Sequence, residues 1–303
     1  MLIRSPAFSE RLNRFCELML KKPLLRRTLK HVHELHERYG DEYVELAEKI
    51  LEKSELLAWD ASNILSRVFL ECLQEMSDFL ETGEFGHTFE ETQKTVYENR
   101  DYMENEYLPG LFIAYAFTPL MYPKYPFFRN NFLSQLNKSS RGVEIGFGDG
   151  FYLWVTKQQI PEICVSGYDI SPSAINVTTR VLQSSGIYDV PLFMGNILDG
   201  ISQKDASFDW GVLAEVIEHI PTPEKGINEM ARLICRGGLL YLSTTKDYNH
   251  PDHVTNFPSV EYVVKMIENG GFKVKETVSY RIQDHYPESP DKSVNMAFIC
   301  ERL

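Results

Sequence analysis

Two short stretches of the chain gather side chains able to do chemistry. The first is Val143-Glu144-Ile145-Gly146-Phe147-Gly148-Asp149-Gly150, with Asp169 twenty residues after Asp149. Three glycines at alternate positions let a backbone turn tightly and come close to a ligand. A carboxylate such as Asp169, at the end of the next apolar run, can accept hydrogen bonds from both hydroxyls of a ribose. The second stretch is Ala214-Glu215-Val216-Ile217-Glu218-His219, with Pro251-Asp252-His253-Val254 further on. Histidine exchanges a proton near neutral pH, so His219 and His253 are the candidate bases. Two carboxylates and a histidine also suit a hard cation, with His250 or His253 as a further ligand. No fourth ligand has a compelling position in sequence, so no metal is expected. Substrate contact and loop anchoring remain as other readings of Glu218 and the histidines.

These groups need a scaffold that ends several strands at one edge, and the second half of the chain supplies it. Short apolar runs predict strands over 141–145, 163–168, 190–194, 208–213 and 239–243. Between them lie helical segments: one opened by Ser171-Pro172, one opened by Thr222-Pro223 and closed by Gly237-Gly238, and one capped by Ser259. Phe272, Val274, Glu276, Val278 and Tyr280 mark alternate positions of a half-exposed strand, and 293–301 is the last. Repeated β-α units imply a doubly wound, mostly parallel seven-stranded sheet, and the two helix-free final strands imply an antiparallel edge hairpin.

The first 136 residues read as an all-α part, placed before a domain of residues 137–303 at the polar stretch Asn137-Lys138-Ser139-Ser140. Helices are expected from Ser9 past Leu20, over 43–57, from Ala61 to about Leu80 behind an Asp60 cap, and over about 89–107. The 61–80 helix carries one apolar stripe that includes Leu73 and Leu80. An aromatic run, Phe112 to Phe132, joins these helices to the sheet domain; core packing is one reading of it. The other is a lid around an apolar acceptor, with Tyr115 and Tyr122 as the substrate-binding candidates. His31, His33 and His36 resemble a metal cluster, but only His33 and His36 share a helix face. Exposed surface histidines are the expectation there.

The chain has 303 residues, 43% of them hydrophobic and 24% charged, as in an ordinary globular protein. Its formal net charge of -12 disfavours a phosphate backbone as partner, although eight Lys or Arg fall within residues 1–33. That basic stretch is a solvated helix face or a dock for an acidic partner, including an acidic part of the same chain. Five separated cysteines give no zinc knuckle or disulfide scaffold. The opening Met1-Leu2-Ile3-Arg4-Ser5-Pro6 lacks the apolar run of a signal peptide. The 108–122 stretch is too short and proline-broken to span a bilayer. A cytoplasmic protein that binds neither nucleic acid nor membrane is expected, with a homodimer allowed.

The glycine spacing is G-x-G-x-G, not the dinucleotide G-x-G-x-x-G, and Glu144 and Asp149 add negative charge where a pyrophosphate would dock. A cationic nucleoside fits better, and S-adenosylmethionine carries a sulfonium and an ammonium and no phosphate. Residues 140–303 resemble the class I S-adenosylmethionine-dependent methyltransferases. The likeness rests on the glycine stretch, Gly167-Tyr168-Asp169-Ile170-Ser171, Gly195-Asn196-Ile197, Phe208-Asp209, the 214–219 stretch and Arg236-Gly237-Gly238.

The resemblance implies a cofactor site of Glu144, Gly146, Gly148, Gly150, Asp169, Ile170, Asn196, Ile197 and Glu215. In it the glycine loop holds the methionine moiety, Asp169 the ribose, and Ile170 packs on adenine. Asn196 stands where the family usually has Asp; its amide oxygen can still accept from the adenine amino group. Glu-x-x-Glu-His also resembles a magnesium motif of small-RNA 3′-terminal 2′-O-methyltransferases and of some ubiquinone-pathway O-methyltransferases. The implied activity is methyl transfer to a small molecule, O-methylation first because two histidines are at hand. A metal-assisted RNA 2′-O-methyltransferase, an NAD-dependent oxidoreductase and a non-catalytic nucleoside-binding protein stay open as alternatives.

Overall fold

A computed structural model of the chain describes residues 4–303, apart from the side chain of Arg27. The first three residues of the signal-peptide reading lie outside that range. Seven strands form one sheet in the order β3-β2-β1-β4-β5-β7-β6. They are β1 (Arg141–Ile145), β2 (Cys164–Asp169), β3 (Leu192–Met194), β4 (Phe208–Ala214), β5 (Ile234–Lys246), β6 (Phe272–Arg281) and β7 (Val294–Arg302). The pairs among β1 to β5 are parallel, while β7 runs antiparallel to both β5 and β6. This is the doubly wound sheet with an edge hairpin that the β-α alternation predicts. The helix expected to end at Gly237-Gly238 instead stops at Leu233, and β5 starts at Ile234. Ile234 already pairs with Phe208 across a register shift, so the sheet captures the residues that the glycines were expected to turn.

Four longer helices open the chain: α1 (Glu10–Lys21), α2 (Arg26–Tyr39), α3 (Asp41–Leu56) and α4 (Ala61–Thr82). Asp60 caps α4 by accepting from the Asn63 amide at 3.1 Å. The helix expected over 89–107 is a series of short pieces, with wide π-type turns at Gln93–Tyr97 and Met103–Tyr107. It runs into α5 (Leu108–Phe117), which carries Pro109 in its first turn, directly after the wide turn of Met103–Tyr107. The doubly wound part adds α6 (Phe151–Gln159), α7 (Pro172–Gln183), α8 (Pro223–Leu233) and α9 (Val260–Asn269). No helix among the described residues is long and apolar enough to cross a membrane. The five cysteines are free.

Strand alternation divides the core. Leu213, Leu240, Leu242, Met296 and Phe298 face α8 and α9. Trp210, Val212, Tyr241, Ala297 and Ile299 face the other way, into a core that also holds α6, α7 and residues of every long N-terminal helix. The N-terminal part therefore completes one face of the sheet. Most of the aromatic run does this work: Phe128 and Phe132 pack against Tyr241 with ring centroids 4.9 and 5.7 Å apart. Within the basic N-terminal stretch, Arg4 pairs with Glu10 and Glu17, Arg11 with Glu48 and Glu55 of α3, and Lys30 with Glu34.

Candidate active site

A cavity of about 880 Å³ opens at the C-terminal ends of β1, β2 and β4 and continues under α2, α4 and α5. Its floor is the glycine turn. Gly146, Gly148 and Gly150 all have positive φ, at 69°, 49° and 79°. A Cβ on Gly150 would lie 2.6 Å from Thr178, so both conformation and space require glycine there. Asp169 bridges the two motifs: Oδ2 accepts from the Gly148 amide at 2.9 Å and Oδ1 from the Ser171 amide at 2.8 Å. Each oxygen keeps a further lone pair.

Glu144, Asp149 and Asp169 are all buried, and none pairs with a Lys or Arg among the described residues. Burial pushes Asp149 up to about 7 and Asp169 up to about 6, and raises Glu144 well above the carboxylate range. Three carboxylates desolvated without a resident cation are arranged to receive a positively charged ligand. Ile170, Asn196 and Ile197 line the same end of the cavity. The Asn196 amide oxygen accepts from the Leu198 amide at 3.0 Å, which leaves it one lone pair for an adenine amino group.

The other end holds the imidazoles. His219 Nδ1 lies 3.0 Å from the Asp252 carbonyl oxygen and 3.2 Å from its Oδ2. His253 Nδ1 lies 2.7 Å from the Tyr248 carbonyl oxygen. A carbonyl only accepts, so in each ring Nδ1 carries the proton and Nε2 is the free nitrogen. Both residues line the cavity, with ring centroids 4.8 Å apart. Their environments differ. Burial opposes the His219 charge, but Asp252 and then Glu218 override it and raise its pKa. Burial, with the charges of His219 and His250, drives His253 well below the ordinary value.

Asp252, quoted in the sequence only as part of a motif, is the hub of this end. It is 1% exposed, and its carboxylate also meets His250 Nδ1 at 2.8 Å and accepts from the hydroxyls of Tyr97 and Tyr107. Burial would raise its pKa, but the surrounding histidines hold it well below the usual range. Its position between His250 and His253 was the available signal; the two tyrosines, some 150 positions earlier, left none.

Glu215, at φ 53°, lines the cavity between the two ends. Ser243 donates to its Oε1 at 2.6 Å, and Lys124 meets its Oε2 at 2.9 Å. Lys124 is fully buried and comes from the helical part, and no sequence motif pointed to it. Glu218 turns away: Thr244 donates to its Oε2 at 2.7 Å, and its carbonyl oxygen accepts from the Val254 and Thr255 amides. Its buried Oε1 has no hydrogen-bond partner, and burial with the nearby Glu215 charge lifts the carboxyl to about 7. Glu218, His219 and His253 each bring one ligand atom within 4.8 Å of the others; Glu215 is not part of that set.

The two tyrosines proposed as substrate contacts part company. Tyr115 lines the cavity, its ring stacked 3.7 Å from that of Phe151. Tyr122 is fully buried beside Tyr39, Tyr43 and Tyr125 and does not reach the cavity, because its ring turns into the helical core. Two further expectations change. Leu73 and Leu80 of α4, expected in a buried stripe, are 57% and 46% exposed and line the cavity. His31, expected at the surface, is 4% exposed because the β6–β7 connection packs on it.

The sheet order, glycine turn and acidic strand end define a nucleoside-binding α/β domain of the methyltransferase type. A family model described as "Methyltransferase domain" matches residues 143–240. A ubiquinone biosynthesis O-methyltransferase of Thiobacillus denitrificans is 29% identical over 106 residues, covering 35% of this chain and 45% of that protein. The Xylella fastidiosa protein of the same name is 27% identical over 139 residues, covering 46% and 55%. The chain thus spans about half the length of the curated relatives it matches. Among solved structures, geranyl diphosphate C-methyltransferase from Streptomyces coelicolor A3(2) superposes with TM-score 0.51 at 13% identity, over 65% of this chain and 84% of that one. It shares the fold.

Proposed function

We propose that the chain transfers a methyl group from S-adenosylmethionine to an oxygen of a small-molecule acceptor. The observation that carries this is one continuous cavity with three unpaired buried carboxylates at one end and two imidazoles at the other. Asp169 takes the ribose hydroxyls, Ile170 and Ile197 flank the adenine, and Asn196 accepts from its amino group. Glu144 and the loop of Gly146, Gly148 and Gly150 receive the cationic methionine end, with Glu215 beside it. The acceptor lies between His219, His253 and Tyr115, under α4 and α5.

The chemistry is an in-line displacement that depends chiefly on positioning. A bond forms between the acceptor oxygen and the methyl carbon, and the carbon–sulfur bond breaks with its electron pair remaining on sulfur. The acceptor proton passes to His219 Nε2, while Asp252 holds the ring and stabilises the resulting imidazolium. His253, held neutral, contacts the acceptor as a hydrogen-bond partner. We infer that no divalent cation is required, because Lys124 already supplies a positive charge at Glu215. Binding neither nucleic acid nor membrane, a place in the cytoplasm and a homodimer belong to the same reading; the net charge supports the exclusion of nucleic acid, and the free cysteines support the cytoplasm.

Calorimetry with S-adenosylhomocysteine tests the cofactor. Mass spectrometry of a panel of phenolic and alcoholic acceptors, looking for a gain of one methyl group, tests the reaction. Activity lost to EDTA and restored by magnesium would overturn the metal-free reading and promote the Glu218, His219 and His253 set to ligands.

A further inference from the structure

A second cluster of ligand-type side chains lies at a different part of the cavity rim, where α2 meets the β6–β7 connection. His31 and Glu34 are one turn apart on α2, and His285 follows the short helix Ile282–Asp284. Each offers one ligand atom, and the three atoms lie within 4.8 Å of one another. His31 Nδ1 is 3.0 Å from Glu34 Oε2, and the His31 and His285 rings meet edge to face with centroids 5.8 Å apart. Lys30 occupies the other Glu34 oxygen at 3.1 Å, which holds Oε2 toward the imidazoles. The amides of His285 and Tyr286 both bond to the Ile282 carbonyl, which fixes the turn that presents His285.

We propose that His31, Glu34 and His285 form a binding site for a borderline divalent transition-metal ion such as zinc, with solvent completing a four-coordinate shell. Two imidazoles and one carboxylate are a donor set that suits such an ion better than magnesium or calcium, which favour oxygen. Tyr286 provides the outer support: its hydroxyl bonds His31 Nε2. A hydroxyl can donate or accept, so it follows the ring when metal takes Nδ1 and the proton moves to Nε2. Glu34 and His285 are half-buried, which leaves the ion a way in.

The consequence is mechanical. His31, Ile282, Tyr286 and Asp291 all line the large cavity. An ion bound here ties the β6–β7 connection to α2 across the cavity's rim. The site stands on its own residues and does not depend on the methyl-transfer reading.

The test is zinc chloride titrated calorimetrically into the full chain after chelator treatment. The Glu218, His219 and His253 set can also take zinc, so His253→Ala separates the two. A binding event that survives His253→Ala and is lost in His285→Ala is expected. His285→Cys, which keeps a zinc ligand, should restore it, and Tyr286→Phe should weaken it by about tenfold. Zinc should also slow proteolysis within residues 282–292 in the wild type and not in His285→Ala. No binding in the wild type, or binding indifferent to His285→Ala, overturns the proposal. So does loss in His285→Ala that His285→Cys fails to restore while its melting temperature is unchanged.

Discussion

Asp169 ties the proposed cofactor binding to pH. Its carboxyl stands near 6, and that of Asp149 near 7, because both are buried without a cation. Both are raised above their unfolded values near 4. Their contribution to the stability of the ligand-free protein is therefore full below about pH 4 and is lost as pH rises through about 6 and 7. A ligand that needs ionised carboxylates has the opposite dependence. S-adenosylhomocysteine affinity should fall as pH is lowered from 8 through 7 to 6, measured by calorimetry. Asp169→Ala should cost about 1–3 kcal/mol of that affinity by leaving ribose hydroxyls unpaired. Equal affinity in the mutant removes Asp169 from the site.

The His219–Asp252 pair makes a separate prediction. Asp252 raises the His219 pKa, so the free base forms only above the ordinary value of 6.5. The kcat/KM profile should rise with pH through an ionisation above that value. Asp252→Asn should lower kcat and shift that ionisation downward, since burial then acts on His219 with less opposition. A profile unmoved by Asp252→Asn would leave Asp252 with a purely structural role. Lys124→Met tests the ion pair: it strands Glu215, and the cost should fall at or below the lower end of the about 3–5 kcal/mol range for a broken buried pair, because Glu215 keeps some solvent contact. Lys124→Met with Glu215→Gln should recover much of the loss in a thermal melt.

At the scale of elements, the cavity roof depends on how closely α4 and α5 approach. A Cβ at Gly110 of α5 would lie 2.3 Å from Val68 Cγ2 of α4. Gly110→Ala should therefore destabilise the protein by about 1–3 kcal/mol through overpacking, despite the better helix propensity of alanine. Adding Val68→Ala should relieve it, and denaturant midpoints for the two variants decide. The wide turns before α5 have a related effect. They bring Tyr97 and Tyr107, which a regular helix would space differently, onto the single carboxylate of Asp252.

For the whole molecule, the helical part and one sheet face share a core. Phe127, Phe128 and Phe132 cover Tyr241 and Trp210, so removing residues 1–136 would bare a wide apolar surface. A chain of residues 137–303 should be insoluble or dimer-forming and inactive, as gel filtration and circular dichroism would show. A soluble, cofactor-binding fragment would mean that the sheet domain stands alone.

The local rules of the chain determined the sheet and the glycine-turn end of the cavity by themselves. Strand alternation, N-caps at Ser171 and Ser259, and the glycine turn act over a few residues, and Asp169 follows directly from β2. The histidine end of the cavity was decided by tertiary structure. Lys124 meets Glu215 from 91 positions away, and Tyr107 meets Asp252 from 145. Leu73 lines a cavity, Tyr122 fills a core and His31 is covered by a loop that begins some 250 residues later. Such pairings depend on which helix faces the packed sheet covers, and no spacing along the chain encodes a distance across a core.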